Sequence, residues 1–510
     1  MTADLHAVLR KYWGYDQFRP LQGRIVESLI AGHDTCVVMP TGGGKSLCYQ
    51  LPAVVSGRTA VVVSPLIALM QDQAAQLEQM GIPAAALNSQ IPWAEQQNVM
   101  RRAAKGEYRL LYVSPERLLK EEFIDYLGRV PLAFFAIDEA HCISEWGHEF
   151  RPEYRQLRRL RELFPDQPIA AFTASATQRV RHDILRQLSL RDPHKYIASF
   201  HRPNLNYLVR ACDSKSQEHL LLCAMEAYAG ATMIVYAPTI ARVEETVEFF
   251  GRKGVAAVPY HGKMETADRQ QNQERWMSDE VRVLVGTIAF GLGINKPGVR
   301  AVIHLALPKS IEQYYQEAGR AGRDGAPADC VLLWQTRDAG LLAYFNQKIA
   351  DGQERQRAWE SYHSVRRFAE SDECRHRQIC LHFGETPKWE KCNACDVCAT
   401  EPDWMLTPAS PRAASPMPRW PRDESPRPRR ATSSIPESAL QQFMREWRRE
   451  FAKQRGVPAF MILTDASLAD LCRREPATFE ELLEVTGIGE RKAQSFGKEI
   501  LTAMHEFGTR

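Results

Sequence analysis

A glycine-rich segment, MPTGGGKS at 39–46, follows a β-branched run and precedes a helix-like stretch. In this setting the backbone N–H groups of a loop surround phosphates, and the lysine contacts the outer ones. We therefore expect Lys45 to bind the β- and γ-phosphates of ATP and Ser46 to bind the Mg²⁺. Because Met39 replaces the first glycine of the usual pattern, the loop taken alone could also be a plain strand-to-helix turn. The other residues expected around the phosphates are Thr41, Gly42, Gly43 and Gly44.

Two adjacent carboxylates end the apolar run LAFFAIDEAH. Asp138 is predicted to hold the magnesium, and Glu139 to orient and deprotonate the attacking water. Carboxylates at a strand tip are otherwise often solvated loop residues. Together with the glycine-rich loop, they indicate hydrolysis of a nucleoside triphosphate.

A basic segment, YYQEAGRAGRDG at 314–325, carries two arginines three residues apart. The spacing predicts that Arg320 and Arg323 share a helix face and reach across a cleft to the γ-phosphate. Gln316 is expected to position water. Alone, the segment could be an ordinary basic helix end. Combined with the loop and the carboxylates, it predicts ATP bound between two lobes whose cleft opens and closes with hydrolysis.

Five of the twelve cysteines fall within residues 374–398. Three of them form the overlapping C-x-x-C pairs of CNACDVC, and a closed tetrahedral zinc site needs a fourth thiolate. Either Cys374 or Cys380 must supply it. Such a site is structural, because no position stays open for a substrate. The remaining cysteines are expected to be buried free thiols: Cys36, Cys48, Cys142, Cys212, Cys223, Cys330 and Cys472.

The composition is that of an ordinary soluble globular chain, with 510 residues, 44% hydrophobic residues and a net charge of +3. This near-neutral total identifies no partner, because whole-chain balance can hide a local basic surface. The N-terminus lacks the pattern of a secretory signal, and no uncharged apolar stretch of about 18 residues appears. These features predict a cytoplasmic protein without membrane contact.

Short β-branched runs alternate with helix-period segments up to about residue 340, which predicts α/β domains with parallel sheets covered by helices. The clear strands are predicted at 35–40, 59–65, 109–115, 132–138 and 169–175, then at 232–238, 255–261, 281–287, 300–306 and 329–335. A stretch rich in proline and arginine later predicts a flexible linker. The predicted divisions are two α/β domains at 1–207 and 208–340, a helical zinc-binding region at 341–400, the linker at 401–436 and a helical bundle at 437–510.

Five segments resemble motifs of the RecQ family of superfamily 2 DNA helicases. They are YDQFRPLQ (15–22), SPLIALMQDQ (64–73), IAAFTASAT (169–177), VGTIAFGLGINKP (285–297) and QEAGRAGRDG (316–325). The resemblance spans residues 8–400 and implies that the α/β part forms two tandem RecA-like lobes. It also implies that Tyr15 stacks on adenine while Arg19 and Gln22 read the edge of the base.

A polar segment with several aromatic residues, ISEWGHEFRPEY, follows the acidic pair. It resembles the RecQ aromatic-rich loop, which implies that four of its residues sense single-stranded DNA and couple it to hydrolysis: Trp146, His148, Phe150 and Arg151. Exposed aromatic side chains stack on bases of any sequence, and arginine adds cation–π or phosphate contacts. Taken singly, Trp146 or Phe150 could instead close a hydrophobic core.

The family pattern also bears on the zinc ligands. CRHRQICLHFGE aligns with it so that Cys374 takes the ligand place and Cys380 falls where an aliphatic residue is usual. The resemblance thus implies that the ligands are Cys374, Cys392, Cys395 and Cys398 and that Cys380 is a buried thiol, with the reverse order of Cys374 and Cys380 left open. Four nearby arginines could contact DNA backbone or form a solvated basic face: Arg366, Arg367, Arg375 and Arg377.

The C-terminal tail resembles an HRDC domain. Its G-I-G turn at 487–489, beside Arg491 and Lys492, could approach a phosphate or be a tight turn between helices. RecQ proteins usually carry a winged-helix domain after the zinc region, whereas here the linker at 401–436 leads directly to the tail. How strands are separated is therefore an open question at this stage.

The resemblance implies an ATP- and Mg²⁺-dependent DNA helicase that moves 3′→5′ on single-stranded DNA, with roles in repair, recombination, replication and the SOS response. The expected partners are single-stranded and forked DNA, ATP, and single-strand-binding or recombination proteins, with nucleoid association in a bacterium. One alternative is a DNA-stimulated translocase or junction remodeller with weak unwinding. Others are RNA unwinding and a non-catalytic DNA-binding scaffold, the last opposed by the intact motor motifs.

Overall fold

The computed structural model describes residues 4–88, 91–147, 149–288, 290, 296–406, 439–455, 462–463 and 465–508. Most of the predicted linker lies outside this part of the chain. The described residues form two parallel sheets in succession, followed by two helical regions.

The first sheet has seven parallel strands in the order β3-β4-β2-β5-β6-β1-β7. They are β1 (Thr35–Val38), β2 (Thr59–Val63), β3 (Ala84–Leu87), β4 (Leu110–Val113), β5 (Leu132–Ile137), β6 (Ile169–Thr173) and β7 (His194–Ile197). The sequence patterns missed the two edge strands. Alanine dominates β3, and three of the four residues of β7 are exposed, so neither shows the β-branched run of a buried strand.

The second sheet has six parallel strands in the order β10-β11-β9-β12-β13-β8. They are β8 (Leu205–Ala211), β9 (Thr232–Tyr236), β10 (Ala257–Tyr260), β11 (Val283–Gly286), β12 (Val299–His304) and β13 (Ala328–Trp334). The sequence patterns also missed β8, which mixes polar and apolar residues and lies at an edge. The predicted division after residue 207 falls inside β8, and all of β8 pairs with β13.

Helices alternate with the strands in both units, and several begin at side chains that accept a backbone N–H of the first turn. Thr177, Asp213, Thr239 and Ser310 are caps of this kind. In the first unit the helices are Leu5–Trp13, Gln22–Ile30, Lys45–Ser56, Ile67–Gln79, Trp93–Ala104, Pro115–Leu118, Glu121–Leu127, Pro152–Arg155, Arg159–Leu163 and Gln178–Gln187, with 3₁₀ turns at Ala140–Ile143 and Gln156–Arg158. In the second unit they are Ser214–Ala227, Ile240–Arg252, Thr266–Met277 and Ile311–Ala318.

The strands at the centre of each sheet are buried on both faces. Every residue of β2 and β9 is buried, which is typical of a parallel sheet covered by helices on both sides. The prediction of an α/β fold with two parallel-sheet lobes is therefore confirmed. No helix in the described ranges has both the length and the apolar composition needed to cross a bilayer.

Two helical regions follow the second sheet. The first contains Thr336–Gln347, Gly352–Glu370, Arg375–His382 and the short helix Asp403–Leu406. The tail contains Ala439–Arg455, Asp465–Arg474, Phe479–Leu483 and Glu490–Gly508 around its own apolar core. The predicted helical character of both regions is confirmed.

Candidate active site

The glycine-rich loop joins β1 directly to the helix Lys45–Ser56. Gly42 and Gly44 have φ of +81° and +82°, a backbone conformation that is strained for residues with a side chain. Met39 packs in the hydrophobic core, and its carbonyl oxygen lies 3.4 Å from Lys45 Nζ. The loop thus keeps the glycines that its conformation requires, and the residue that departs from the usual pattern has a packing role.

The segment predicted to contact adenine is bonded to this loop. Arg19 donates to the carbonyl oxygen of Gly42 (2.5 Å), and the Gln22 amide donates to those of Gly43 and Gly44 (3.3 and 3.2 Å). Tyr15 has 53% of its surface exposed. The segment is therefore held against the phosphate loop, with an aromatic ring open to solvent beside it.

The acidic pair lies at the end of β5. Asp138 is buried, and burial together with the charge of Glu139 raises the pKa of Asp138 to about 7, while Lys45 opposes the shift. Glu139 has a positive φ of 47°, and its carboxylate lies 3.3 Å from His141 Nδ1. A buried carboxylate that is costly to ionise without a cation suits a metal site. Carboxylate and hydroxyl oxygens are the donors that Mg²⁺ prefers, so Asp138 and Ser46 fit the expected ion.

The two arginines are placed differently from the prediction. The helix that precedes them ends at Ala318, so Arg320 and Arg323 lie in the following glycine-containing turn and do not share a helix face. The glycines at 319 and 322 explain the early end, because glycine is unfavourable in a helix interior. Gln316 lies on the helix and donates to Ser175 Oγ (2.8 Å) after β6, which links the two lobes.

Arg323 reaches the phosphate loop of the other lobe. A Cβ added to Gly42 would lie 3.2 Å from Arg323 Cγ. Burial and the neighbouring charges of Arg320 and Arg202 lower the pKa of Arg323 to about 9. Arg202, which the sequence reasoning missed, donates to the carbonyl oxygens of Gly319 and Gly322 (2.8 and 2.9 Å). The one feature of the sequence that could have indicated Arg202 is its position in the segment that joins the two sheets.

Part of the phosphate loop and the two arginines Arg202 and Arg323 line a cavity of about 220 Å³ between the two lobes. Its lining residues are Arg19, Pro40, Thr41, Gly42, Gly43, Arg202, Asn204, Gly322, Arg323, Asp324 and Gly325. Three arginines and a loop rich in backbone N–H groups around so small a space suit a polyphosphate.

The aromatic-rich loop follows the acidic pair in the chain and is bonded to it. Tyr154 donates to the carbonyl oxygen of Asp138 (3.0 Å), and Arg151 donates to that of Pro65 (3.3 Å). Phe150 is 36% exposed, with Arg155 over its ring (5.6 Å to the centroid). His148 lies outside the described residues.

Trp146 is half-buried rather than fully exposed. The guanidinium groups of Arg179 and Arg357 lie over its ring, that of Arg357 at 5.3 Å from the centroid. Glu145 pairs with Arg155 (2.6 Å) and with Arg357 (3.4 Å). Sequence patterns did not predict Arg179 and Arg357 as partners of Trp146, because both residues lie outside the loop in the chain.

Four thiols converge in the helical region after the second sheet. The Sγ atoms of Cys374, Cys392, Cys395 and Cys398 all lie within 4.8 Å of one another, as they must to bind one zinc ion. The Cys392 side chain and three backbone N–H groups lower the pKa of Cys395 to about 5, which favours the thiolate. Cys380 is buried among apolar residues outside this cluster.

The other cysteines follow the prediction in part. Cys36, Cys48, Cys142, Cys330 and Cys472 are buried, as expected. Cys212 and Cys223 are only half-buried, because Cys212 lies just past the end of β8 and Cys223 lies on an amphipathic helix near its solvent side.

Comparison with known proteins agrees with this architecture. Family models match as DEAD/DEAH box helicase at 19–184, helicase conserved C-terminal domain at 216–325, RecQ zinc-binding at 336–399 and HRDC domain at 437–504. The first two of these matches place the two lobes in the helicase class. The zinc-binding and HRDC matches narrow this class further, and the chain belongs to the RecQ family.

Individual relatives support the same conclusion. The ATP-dependent DNA helicases RecQ of Haemophilus influenzae and Pasteurella multocida are each 44% identical over 78% of this chain. The matched region spans 64% and 62% of those relatives, which is less than two thirds of their length.

Solved structures share the fold at low identity. The helicase MrfA bound to DNA and AMPPNP superposes with a TM-score of 0.55 at 20% identity, covering 65% of this chain and 50% of that one. The DEAD-box helicase Mss116 bound to single-stranded RNA and UDP-BeF gives a TM-score of 0.54 at 16% identity, covering 70% of this chain and 80% of that one.

Proposed function

We propose that this chain is an ATP- and Mg²⁺-dependent DNA helicase that moves 3′→5′ along single-stranded DNA and acts in recombination and repair. The observation that carries the proposal is the approach of Arg323 to Gly42, because it places groups of both lobes on one small cationic cavity. Nucleotide bound there contacts both lobes at once, so its hydrolysis changes their relative position.

On the first lobe, Lys45 and the backbone N–H groups of residues 41–44 bind the phosphates. Glu139 accepts the proton of the attacking water. Mg²⁺, held by Ser46 and Asp138, supplies charge neutralisation at the phosphate oxygens when bound.

On the second lobe, Arg320 and Arg323 stabilise the negative charge that develops on the γ-phosphate. Gln316 orients the attacking water, and its bond to Ser175 makes that position depend on the closed arrangement of the lobes. Tyr15 stacks on the adenine ring, and Arg19 and Gln22 hold the base-contacting segment against the phosphate loop.

The aromatic-rich loop couples DNA to hydrolysis in this proposal. Trp146, His148 and Phe150 offer stacking surfaces to bases, and Arg151 offers a charge. The bond from Tyr154 to the Asp138 backbone supports the coupling, because movement of the loop changes the position of the acidic pair.

The thiol cluster binds one structural Zn²⁺ through Cys374, Cys392, Cys395 and Cys398. The convergence of four thiols, with Cys380 elsewhere, supports this ligand set. Four protein ligands close the coordination sphere, so the ion contributes to folding rather than to chemistry.

A strand-separation assay tests the proposed activity. ATP turnover is measured with and without single-stranded DNA, and unwinding is measured on matched duplexes carrying either a 3′ or a 5′ single-stranded tail. We expect DNA-stimulated turnover and unwinding of the 3′-tailed duplex alone. Stimulation by RNA only, or unwinding from the 5′ tail, contradicts the proposal.

A translocase with weak unwinding is the second candidate. The observation that favours it is the short segment between the zinc-binding match, which ends at residue 399, and the HRDC match, which begins at residue 437. Displacement of a protein roadblock from single-stranded DNA, measured beside unwinding, separates the two candidates. Robust displacement without strand separation supports the translocase.

A further inference from the structure

The turn that follows the helix Arg375–His382 of the zinc-binding region contacts both lobes. Arg181, on a helix of the first lobe, donates to the carbonyl oxygen of Phe383 (3.0 Å). Nε2 of His382 lies 2.7 Å from a carboxylate oxygen of Glu312, which lies on a helix of the second lobe. The turn thus bridges the two lobes.

Glu385, in the same turn, binds the segment that joins the two sheets. One of its carboxylate oxygens accepts the hydroxyl proton of Ser199 (2.6 Å), and the other accepts the backbone N–H of Phe200 (2.7 Å). Ser199 and Phe200 lie between β7 and β8. Hydrogen bonds to a carboxylate are stronger than those between neutral groups. Two of them from neighbouring residues fix both the position and the direction of the segment.

Aromatic packing strengthens the same attachment. The buried ring of Phe200 stacks on that of Phe383, with 4.3 Å between the ring centroids and 8° between the ring planes. The hydroxyl group of Tyr315 donates to the carbonyl oxygen of Phe200 (3.3 Å). Tyr315 immediately precedes Gln316 in the helix Ile311–Ala318. The segment between the lobes is thus held by the zinc-binding region on one side and by the second lobe on the other.

Arg202 connects this segment to the nucleotide cavity. Its guanidinium group donates to the carbonyl oxygens of Gly319 and Gly322 in the arginine-bearing turn (2.8 and 2.9 Å) and lies 3.5 Å from that of Thr41 in the phosphate loop. One side chain therefore contacts both lobes at the place where Arg323 approaches the loop. Because Arg202 follows the bonded pair by two residues, a shift of the segment changes how the turn and the loop meet.

We propose that Glu385 is a positioning residue for ATP hydrolysis, acting through the segment 199–202. Its carboxylate keeps the segment in the position from which Arg202 holds the arginine-bearing turn against the phosphate loop. This role rests on the proposed function, in which Arg320 and Arg323 stabilise the γ-phosphate when the lobes are closed. It gives the zinc-binding region a part in hydrolysis that is separate from its own folding.

The test uses the full chain with zinc bound and compares three variants. Glu385→Ala removes both bonds to the segment. Glu385→Gln keeps both, because the amide oxygen can accept the Phe200 N–H while the amide nitrogen donates to Ser199 Oγ. Glu360→Ala is the matched control, since it makes the same change at an exposed glutamate of the same region, whose carboxylate accepts the Gln356 amide of its own helix (3.2 Å). Steady-state turnover, affinity for a non-hydrolysable ATP analogue and zinc content are measured for each variant.

We expect Glu385→Ala to lower kcat about tenfold or more, because small displacements of catalytic groups are costly in rate. Its affinity for the analogue should change less than about threefold, since the phosphate loop is intact. Its zinc content should match the wild type. Glu385→Gln and Glu360→Ala should keep kcat within about twofold of the wild type. A general loss of stability produces neither this separation of kcat from affinity nor the rescue by glutamine.

A second variant keeps the test decisive if Glu385→Ala loses zinc. Ser199→Ala removes one of the two bonds from the opposite side of the contact, at an exposed position outside the zinc-binding region. We expect this variant to lower kcat about threefold while it keeps its zinc. A wild-type kcat in Ser199→Ala then overturns the proposal.

A distance measurement separates failure of this role from failure of the proposed function. Spectroscopic labels are attached through unnatural amino acids at the exposed positions Glu95 and Glu248, one on each lobe. With the analogue and Mg²⁺ bound, we expect Glu385→Ala to broaden the distribution of distances between the labels relative to the wild type. If the wild type turns over no ATP, the proposed function fails, while the distance between the labels still decides the role of Glu385.

The proposal is overturned if Glu385→Ala keeps the wild-type kcat with zinc bound. It is also overturned if Glu385→Gln loses as much kcat as Glu385→Ala, because the charge rather than the two bonds is then responsible. A fall in analogue affinity that parallels the fall in kcat has the same consequence, since the residue then acts on nucleotide binding. So does a distribution of distances that is the same in Glu385→Ala and the wild type.

Discussion

Trp146 connects three separate parts of the chain. It lies on the aromatic-rich loop, Arg179 comes from the helix Gln178–Gln187 of the first lobe, and Arg357 comes from the helix Gly352–Glu370 of the zinc-binding region. Both guanidinium groups lie over the Trp146 ring, on the surface that the proposed DNA coupling requires a base to stack on. In the proposed coupling, a base that takes the place of one guanidinium group on Trp146 leaves that group able to bind a phosphate.

We predict that Trp146→Ala removes the stimulation of ATP turnover by single-stranded DNA while basal turnover stays within about twofold of the wild type. The expected loss in the stimulated rate is about tenfold or more, since base stacking contributes roughly 1–3 kcal/mol per base. Steady-state ATPase measured with and without an oligonucleotide checks this. Trp93→Ala is the matched control, because Trp93 is an exposed tryptophan of the same lobe. Normal stimulation of Trp146→Ala contradicts the coupling role.

At the scale of elements, the zinc-binding region depends on how it is attached to the second lobe. Tyr207 of β8 exchanges backbone bonds with Ala394 and Asp396 (3.3 and 2.9 Å), and a buried ion pair joins Arg375 to Asp396 (2.9 Å). The cysteine-bearing turn is thus an extension of the second sheet. We therefore expect loss of the proposed zinc ion to free this turn and expose the part of β8 that it covers.

We predict that Cys374→Ala loses zinc and Cys380→Ala keeps it. The reason is that the Cys374 thiol lies in the four-thiol cluster, whereas Cys380 packs among apolar residues. Metal analysis of the purified chains should give about one zinc ion per chain for the wild type and Cys380→Ala, and close to none for Cys374→Ala, which also melts at a lower temperature. Equal zinc content in the two variants contradicts the ligand assignment.

In the C-terminal tail, a single carboxylate, that of Asp470, stabilises the packing of one helix against a turn. The Asp470 carboxylate accepts the backbone N–H of Thr486 (2.8 Å) and pairs with Arg473 and Arg474. Although burial opposes the shift, these bonds hold the pKa of Asp470 well below its usual range. They join the helix Asp465–Arg474 to the turn before the last helix.

We predict that Asp470→Asn destabilises the tail by about 1–2 kcal/mol at neutral pH, the usual cost of losing a charged hydrogen-bond acceptor. Because the folded pKa of Asp470 is depressed, the stabilisation is present above the unfolded value of about 4 and is lost as the pH falls through the folded value. Hydrogen exchange of the tail amides at pH 7 and pH 5 should therefore show the same deficit for the variant. A deficit that disappears at pH 5 contradicts the assignment.

The elements that the sequence predicted and those it missed differ in a physical way. Buried central strands such as β2 and β9 carry continuous apolar runs, so composition alone identifies them. The strands β3, β7 and β8 lie at the edges of the sheets, each beside one neighbouring strand, and their side chains show no continuous apolar run.

In the candidate site, too, the features that the sequence predicted differ physically from those that it missed. The glycine-rich loop and the acidic pair are local motifs, and their neighbours in the chain are also their neighbours in space. The partners of Trp146 and the bond from Gln316 to Ser175 join segments that are far apart in the chain. Such contacts depend on how the lobes are packed together, which no local pattern reports.

At the scale of the whole molecule, the nucleotide cavity exists only where the two lobes meet. Lys45 belongs to the lobe that holds the phosphate loop, and Arg323 belongs to the lobe that closes on it. In the proposed mechanism, the two cations therefore act at different stages. We expect Lys45 to contact the phosphates as soon as nucleotide binds to the first lobe, and Arg323 to contribute only when the lobes are together.

We predict that Arg323→Ala lowers ATP turnover by about a thousandfold, the size expected for an arginine that stabilises the transferring phosphoryl group. ATP affinity, measured with a fluorescent analogue, should change less than about tenfold, because the phosphate loop is intact.

Lys45→Ala should abolish turnover and also weaken nucleotide binding, while affinity for single-stranded DNA is largely kept. A distance probe between the lobes separates the two roles further, since Arg323→Ala should bind the analogue without the closure seen in the wild type. If Arg323→Ala turns over ATP at the wild-type rate, the cavity between the lobes is not the site of hydrolysis.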